Sequence, residues 1–228
     1  MEKLDFKRYT FIIGNFGSGK TEIAINLALR HASLGSSMLI DMDIINPYFK
    51  SSSKEKILRD AGVEVVKPDF ANTTMDVPTL PPEIYSPFDR RPDYAVFDVG
   101  GDPVGAAVLG LLKDHVREAR EECEFLFVIN PMRPMQENKE AIKGLLKEMM
   151  DKASLEVDRI VINGNLAYET EMEHVVHSEK IGREVSSDLG IPIKCICMRE
   201  ELSDEYKGDL PVLPIHIFMR PAWLDERL

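Results

Sequence analysis

Gly14-Asn15-Phe16-Gly17-Ser18-Gly19-Lys20-Thr21 reads G-x-x-x-x-G-K-T, the spacing of a phosphate-binding loop. The apolar run Tyr9-Thr10-Phe11-Ile12-Ile13 precedes it and reads as a buried strand. Glu22-Ile23-Ala24-Ile25-Asn26-Leu27-Ala28-Leu29 follows and reads as a helix. Strand, loop and helix in that order are the context this motif requires. Glycines let the backbone curl so that several N–H groups point inward at phosphate oxygens. The helix N-terminus adds the positive end of its dipole. In this pattern Gly14, Asn15, Phe16, Gly17, Ser18, Gly19, Lys20 and Thr21 form the cradle. Lys20 reaches the terminal phosphates and Thr21 offers its hydroxyl to Mg²⁺.

Outward from the loop, apolar strand-like runs alternate with helical stretches. Strands are expected at Ser37–Asp41, Val63–Val66, Asp93–Asp98, Glu124–Ile129, Arg159–Asn163, Ile191–Met198 and Val212–Phe218. Helices are expected around Ser53–Asp60, Asp102–Arg120, Gln136–Lys152 and Glu171–Leu189, the first helix ending near Gly35. The strong strands are continuously apolar, as strands buried on both faces are. The fold class is therefore α/β, a mainly parallel sheet with helices on both faces, spanning residues 1–228 as a single domain. Ligands of such sheets bind beyond the strand C-terminal ends. Gly14, Asp41, Asp98, Asn130 and Asn163 all fall at those ends. One stretch breaks the rhythm. Pro68–Pro92 carries six prolines and little periodicity, and reads either as a rigid surface connection or as a lid or binding segment beside the phosphates.

Length and composition are those of a globular chain with ample core, 228 residues with 44% hydrophobic content. The net charge of −11 argues against broad nucleic-acid binding. Three cysteines suggest no disulfide framework. Five of the first eight residues are charged where a signal peptide would be apolar, and no apolar run reaches spanning length. A cytoplasmic protein without membrane attachment is the expectation.

Two acidic motifs complete the site. Tyr94-Ala95-Val96-Phe97-Asp98 is an apolar strand ending in a carboxylate, the expected acid that holds Mg²⁺ directly or through water. Asp98-Val99-Gly100-Gly101 reads D-x-x-G, and a glycine at position 101 lets a backbone N–H swing toward a γ-phosphate. Asp41-Met42-Asp43 follows the second strand; it reads either as a solvated acidic turn or as one carboxylate near the metal and another near attacking water.

A phosphate loop, a D-x-D after the second strand and a D-x-x-G after the third together resemble the MinD/ParA/CobQ-type P-loop NTPases. That group sits in the wider class that includes signal-recognition GTPases and dethiobiotin synthetase. The resemblance runs over about Tyr9 to Met198 and implies a three-layer α/β/α sandwich. It implies that Asp41 lies near Mg²⁺, that Asp43 positions the hydrolytic water, and that Asn163 contacts the base. Asn130-Pro131 falls where the family has a Pro-containing turn. The family's loop carries a second lysine that reaches across a dimer; here Asn15 stands in its place and Phe16 replaces a glycine. The last ten residues lack the length and amphipathicity of a membrane-targeting helix. The N-K-x-D signature of most GTPases is absent, which favours ATP over GTP.

The leading expectation is a slow Mg²⁺-dependent ATPase that couples nucleotide state to a protein partner or a homodimer. Lys20 and Asp43 would carry the chemistry, and Thr21, Asp41 and Asp98 would organise the metal. One alternative is a small-molecule kinase or ligase related to dethiobiotin synthetase. Another is a non-catalytic nucleotide-binding module. Cys195 and Cys197, two apart on one strand, read as core packing, and Cys123 adds nothing. His174 and His177 read as a solvated helix face and Arg133 as a surface arginine.

Overall fold

The computed structural model describes residues 4–43, 52–67, 82–101, 108–153 and 155–219. The chain runs β1 (Tyr9–Gly14), α1 (Lys20–Ala32), β2 (Ser37–Met42), α2 (Ser52–Asp60), β3 (Val63–Val66), α3 (Ser86–Arg90) and β4 (Tyr94–Val99). It continues with α4 (Lys113–Glu118), β5 (Cys123–Ile129), α5 (Lys139–Ala153), β6 (Arg159–Ile162), α6 (Met172–Leu189), β7 (Ile193–Arg199), α7 (Glu200–Ser203) and β8 (Val212–Ile215). The eight strands form one sheet in the order β3-β2-β4-β1-β5-β6-β7-β8. Every neighbouring pair is parallel.

The central strands β1 and β5 are buried at every position, which is why they read as unbroken apolar runs. Alternate residues feed two separate cores. Phe11, Phe97, Phe125 and Phe127 pack on one face with Ile142 and Leu146 of α5 and Val185 of α6. Ile12, Val96, Leu126 and Val161 pack on the other with Ile23, Leu27 and Ala28 of α1 and Leu58 of α2. The Phe11 ring is stacked between Phe97 and Phe125, at centroid distances of 4.3 and 4.5 Å. Offset stacks of this kind add about 0.5–1.5 kcal/mol each beyond burial. They lock the register of the three strands that carry the site.

Element boundaries shift for identifiable reasons. Helix α5 begins at Lys139, three residues after the expected Gln136, because the Asn138 carboxamide oxygen accepts from the Ala141 N–H and caps the helix there. The expected helix Asp102–Arg120 is, among the described residues, a 3-10 turn at Leu109–Leu112 followed by the short α4. Leu109 and Leu112 are three apart and fully buried, a pair that the three-residue period of a 3-10 turn stacks on one side. Asp102 and Pro103 lie outside the described residues.

The Pro-rich segment divides. Residues 68–81 lie outside the described residues. The remainder is not irregular: Pro82–Tyr85 is a 3-10 turn that runs straight into α3, with Pro87 in its first turn. Ile84 is fully buried, and the Phe88 ring lies 4.8 Å from that of Tyr9. This part of the segment is core, held by apolar side chains that its prolines masked in the sequence pattern. No helix among the described residues is long and apolar enough to cross a membrane.

Candidate phosphate-binding site

The loop between β1 and α1 is built as the motif demands. Gly14 closes β1 and Gly19 precedes Lys20, the first residue of α1. Ser18 N–H donates to the Asn15 carbonyl at 3.2 Å, and the Lys20 ammonium donates to the same carbonyl at 3.0 Å. The loop thus curls around its own lysine. Lys20 is buried at 8% exposure, whereas Phe16 projects at 61%. Gly19 adopts φ 92°, and a Cβ there would lie 2.2 Å from the Asn163 carboxamide nitrogen. Both the left-handed backbone and the close approach require glycine.

The sheet register delivers the acids. Asp41 on β2 is the direct partner of Asp98 on β4, and Ile12 on β1 faces Asp98 from the other side. Asp98 is two residues beyond Val96, which packs on the α1 face, so its side chain turns to that face and lies under the loop. It is 5% exposed. Burial, with the Asp41 charge next and Asp43 adding to it, pushes its carboxyl from 3.8 up to about 7, against the pull of Lys20 and a hydrogen bond with Thr21. Asp41 also accepts from the Asp43 N–H at 3.0 Å, which folds the D-x-D into a tight turn. Lys20, Thr21, Asp41, Asp43 and Asp98 therefore share one electrostatic neighbourhood.

Gly101 lies against the loop. A Cβ at this position would lie 2.6 Å from the Lys20 ammonium, 2.8 Å from the Phe16 nitrogen and 3.0 Å from the Phe16 Cα. The D-x-x-G glycine is thus set against the phosphate loop itself, where only a residue without a side chain fits.

Among the described residues, no three His, Cys, Asp or Glu side chains form a group that would hold a metal ion alone. Mg²⁺ at a phosphate site needs fewer, because it keeps waters and takes phosphate oxygens alongside one or two protein ligands. The Asp98 Oδ1 atom is buried without a hydrogen-bond partner, and the Thr21 hydroxyl adjoins the same carboxylate. An orphaned carboxylate oxygen beside a hydroxyl fits such an ion.

Asn163 reaches the phosphate loop from the end of β6. It is 2% exposed, and its carboxamide nitrogen donates to the Ser18 carbonyl at 2.7 Å. It is a strut under the phosphate loop, with its Oδ1 buried and unpartnered. Sequence reasoning missed the polar braces around it. The Gln136 side chain is fully buried and its carbonyl accepts from the Asn130 N–H at 3.0 Å. Asn130 in turn donates to the Asn165 carbonyl at 3.1 Å, tying the loop after β5 to the loop after β6. The one available signal was the set of asparagines at consecutive strand ends, since a buried carboxamide there must find partners.

His174 Nδ1 accepts from the Glu171 N–H at 3.0 Å and completes a capping box at the start of α6. Cys123, Cys195 and Cys197 are buried and unbridged. Arg133 lies exposed in the turn after Asn130.

No protein-family model and no curated protein matches the chain. Solved structures do match in fold. FtsY from Mycoplasma mycoides is 20% identical over 88% of this chain and 64% of its own, with a TM-score of 0.57. The cell division protein FtsY from Thermotoga maritima is 18% identical over 87% of this chain and 66% of its own, also at 0.57. The signal recognition particle 54 kDa protein from Aeropyrum pernix, solved in complex with GDP, is 18% identical over 86% of this chain and 42% of its own, at 0.52. This chain thus spans less than two thirds of the length of these structures. At such identity the likeness establishes architecture and nothing narrower: the chain has the P-loop NTPase α/β fold.

Proposed function

We propose that this chain binds a Mg²⁺–nucleoside triphosphate in the loop 14–21, hydrolyses it slowly, and couples its nucleotide state to a partner protein or a second copy. The observation that carries this reading is the convergence of the Lys20 ammonium, the Asp98 carboxylate hydrogen-bonded to Thr21, and the Gly101 backbone on one loop. Lys20 supplies fixed positive charge to the terminal phosphates, and the first N–H groups of α1 add theirs. Thr21 and Asp98, with Asp41 beside them, would hold the metal, which neutralises charge on the phosphates when bound. Asp43, turned back on Asp41, is the residue assigned to orient attacking water. Asn15 supplies no cation where the resembling loops have lysine, so little transition-state charge is compensated from the loop and intrinsic turnover is low.

ATP is the proposed nucleotide, supported by the missing N-K-x-D signature. A guanine nucleotide is the second reading, favoured by the GDP held by the Aeropyrum pernix protein. Calorimetric titration of the full chain with ATP and with GTP, each with and without Mg²⁺, decides between them. Lys20→Ala is expected to weaken binding by about tenfold or more, through loss of a charge-assisted contact. A folded Lys20→Ala variant with unchanged affinity would overturn the proposal.

A further inference from the structure

The segment that follows β8 does not continue the sheet. It runs along α1, and its backbone is gripped by two α1 side chains one helical turn apart. The Asn26 carboxamide donates to the His216 carbonyl at 2.9 Å and accepts from the His216 N–H at 2.8 Å, as a neighbouring strand would. The Glu22 carboxylate accepts from the Phe218 N–H with one oxygen and from the Met219 N–H, at 3.0 Å, with the other. Glu22 and Asn26 are 9% and 7% exposed. Ile217, Phe218 and Met219 pack against the α1-side core. These contacts join positions about 190 residues apart in sequence.

Glu22 stands one residue after Thr21, in the first turn of the helix whose N-terminus faces the phosphate loop. That turn must present positive potential to phosphate. A buried carboxylate in it works against anion binding unless donors take up its lone pairs. We propose that residues 216–219 form a strap whose two N–H groups offset the Glu22 charge and hold the first turn of α1 in place, making Glu22 a positioning residue for phosphate binding. This inference rests on the nucleotide reading above. Coupling of this kind is reciprocal: a strap that strengthens nucleotide binding is itself held more tightly when nucleotide is bound.

Proline at position 218 removes the N–H that Glu22 accepts. The test is a double-mutant cycle on the full chain: wild type, Phe218→Pro, Glu22→Gln and the double variant. Each is titrated with Mg–ATP and Mg–GTP by calorimetry, with thermal unfolding as the check on folding. In the wild-type background Phe218→Pro is expected to weaken binding by about 5- to 20-fold. In the Glu22→Gln background, where no charge needs offsetting, the same substitution is expected to change affinity less than about twofold. A purely structural strap would lower the melting temperature in both backgrounds without this difference in affinity. Equal losses in both backgrounds, or wild-type affinity in a folded Phe218→Pro variant, overturn the strap alone. A wild-type chain that binds neither nucleotide overturns the nucleotide reading and the strap with it.

Discussion

Asp98→Asn separates stability from binding, in opposite directions. Asp98 is buried beside Asp41, with Asp43 adding like charge, and its carboxyl is raised from 3.8 to about 7. A raised carboxylate means that the folded state holds a proton that the unfolded chain has lost between those two values. Folding stability therefore falls as pH rises through that window, and the full penalty is present above it. A shift of this size corresponds to about 4 kcal/mol at pH 8, of which a little under half is already present at pH 5. Asparagine keeps the shape and removes the charge. Without Mg²⁺ or nucleotide, Asp98→Asn is expected to gain about 2–3 kcal/mol on wild type between pH 5 and pH 8. Urea unfolding at the two pH values, in the presence of a chelator, measures this gap. With Mg–ATP the gap is expected to close: ligand binding stabilises wild type, by about 4 kcal/mol at a thousand times Kd, while the variant, lacking the carboxylate proposed to hold the metal, gains less. A wild-type-to-variant difference that is the same at pH 5 and pH 8 would refute the placement of an ionisable, like-charged Asp98 under the loop.

Three further outcomes follow from the same geometry. Gly101→Ala sets a Cβ 2.8 Å from the Phe16 backbone nitrogen; a folded protein with nucleotide affinity reduced about tenfold or more is expected, by calorimetry, because loop backbone cannot give way as a side chain can. Asn163→Ala removes the strut to the Ser18 carbonyl and is expected to lower stability by about 1–2 kcal/mol by urea unfolding; equal losses of ATP and GTP affinity mark a strut, whereas loss for one nucleotide alone marks a base contact. His31 is buried between Phe6 and Tyr94 with its Nδ1 unpartnered, and burial lowers its pKa from 6.5 to about 4. The unfolded chain takes up that proton first, so stability is lost as pH falls through this range, and between pH 7 and 4.5 wild type is expected to lose about 2–3 kcal/mol more than His31→Phe. Unfolding midpoints of the two proteins that fall in parallel over that range would contradict the assignment.

Much of the site was legible in the chain because its parts are local. Gly14 to Thr21 carries its own backbone geometry, and the apolar runs that end in Asp41 and Asp98 announce buried parallel strands with acids at their C-terminal ends. Continuous apolar runs located the strands, since strands buried on both faces are mostly apolar, but not their ends: the run expected at Val212–Phe218 leaves the sheet after Ile215. Periodicity failed where apolar residues are interrupted by proline, as in Pro82–Arg90, and where a short turn rather than a helix buries Leu109 and Leu112. Pairing between distant positions lies beyond any local pattern. That Asp41 stands against Asp98, that Asn163 props Ser18, and that Glu22 is held by the backbone of Phe218 and Met219 are consequences of strand order and of the path taken after β8. Sequence determined which residues are able to meet phosphate, because backbone freedom and side-chain chemistry are properties of the residues themselves. Tertiary structure alone decided which carboxylates share one buried space and which donors answer them, because burial and charge proximity exist only once the sheet has assembled.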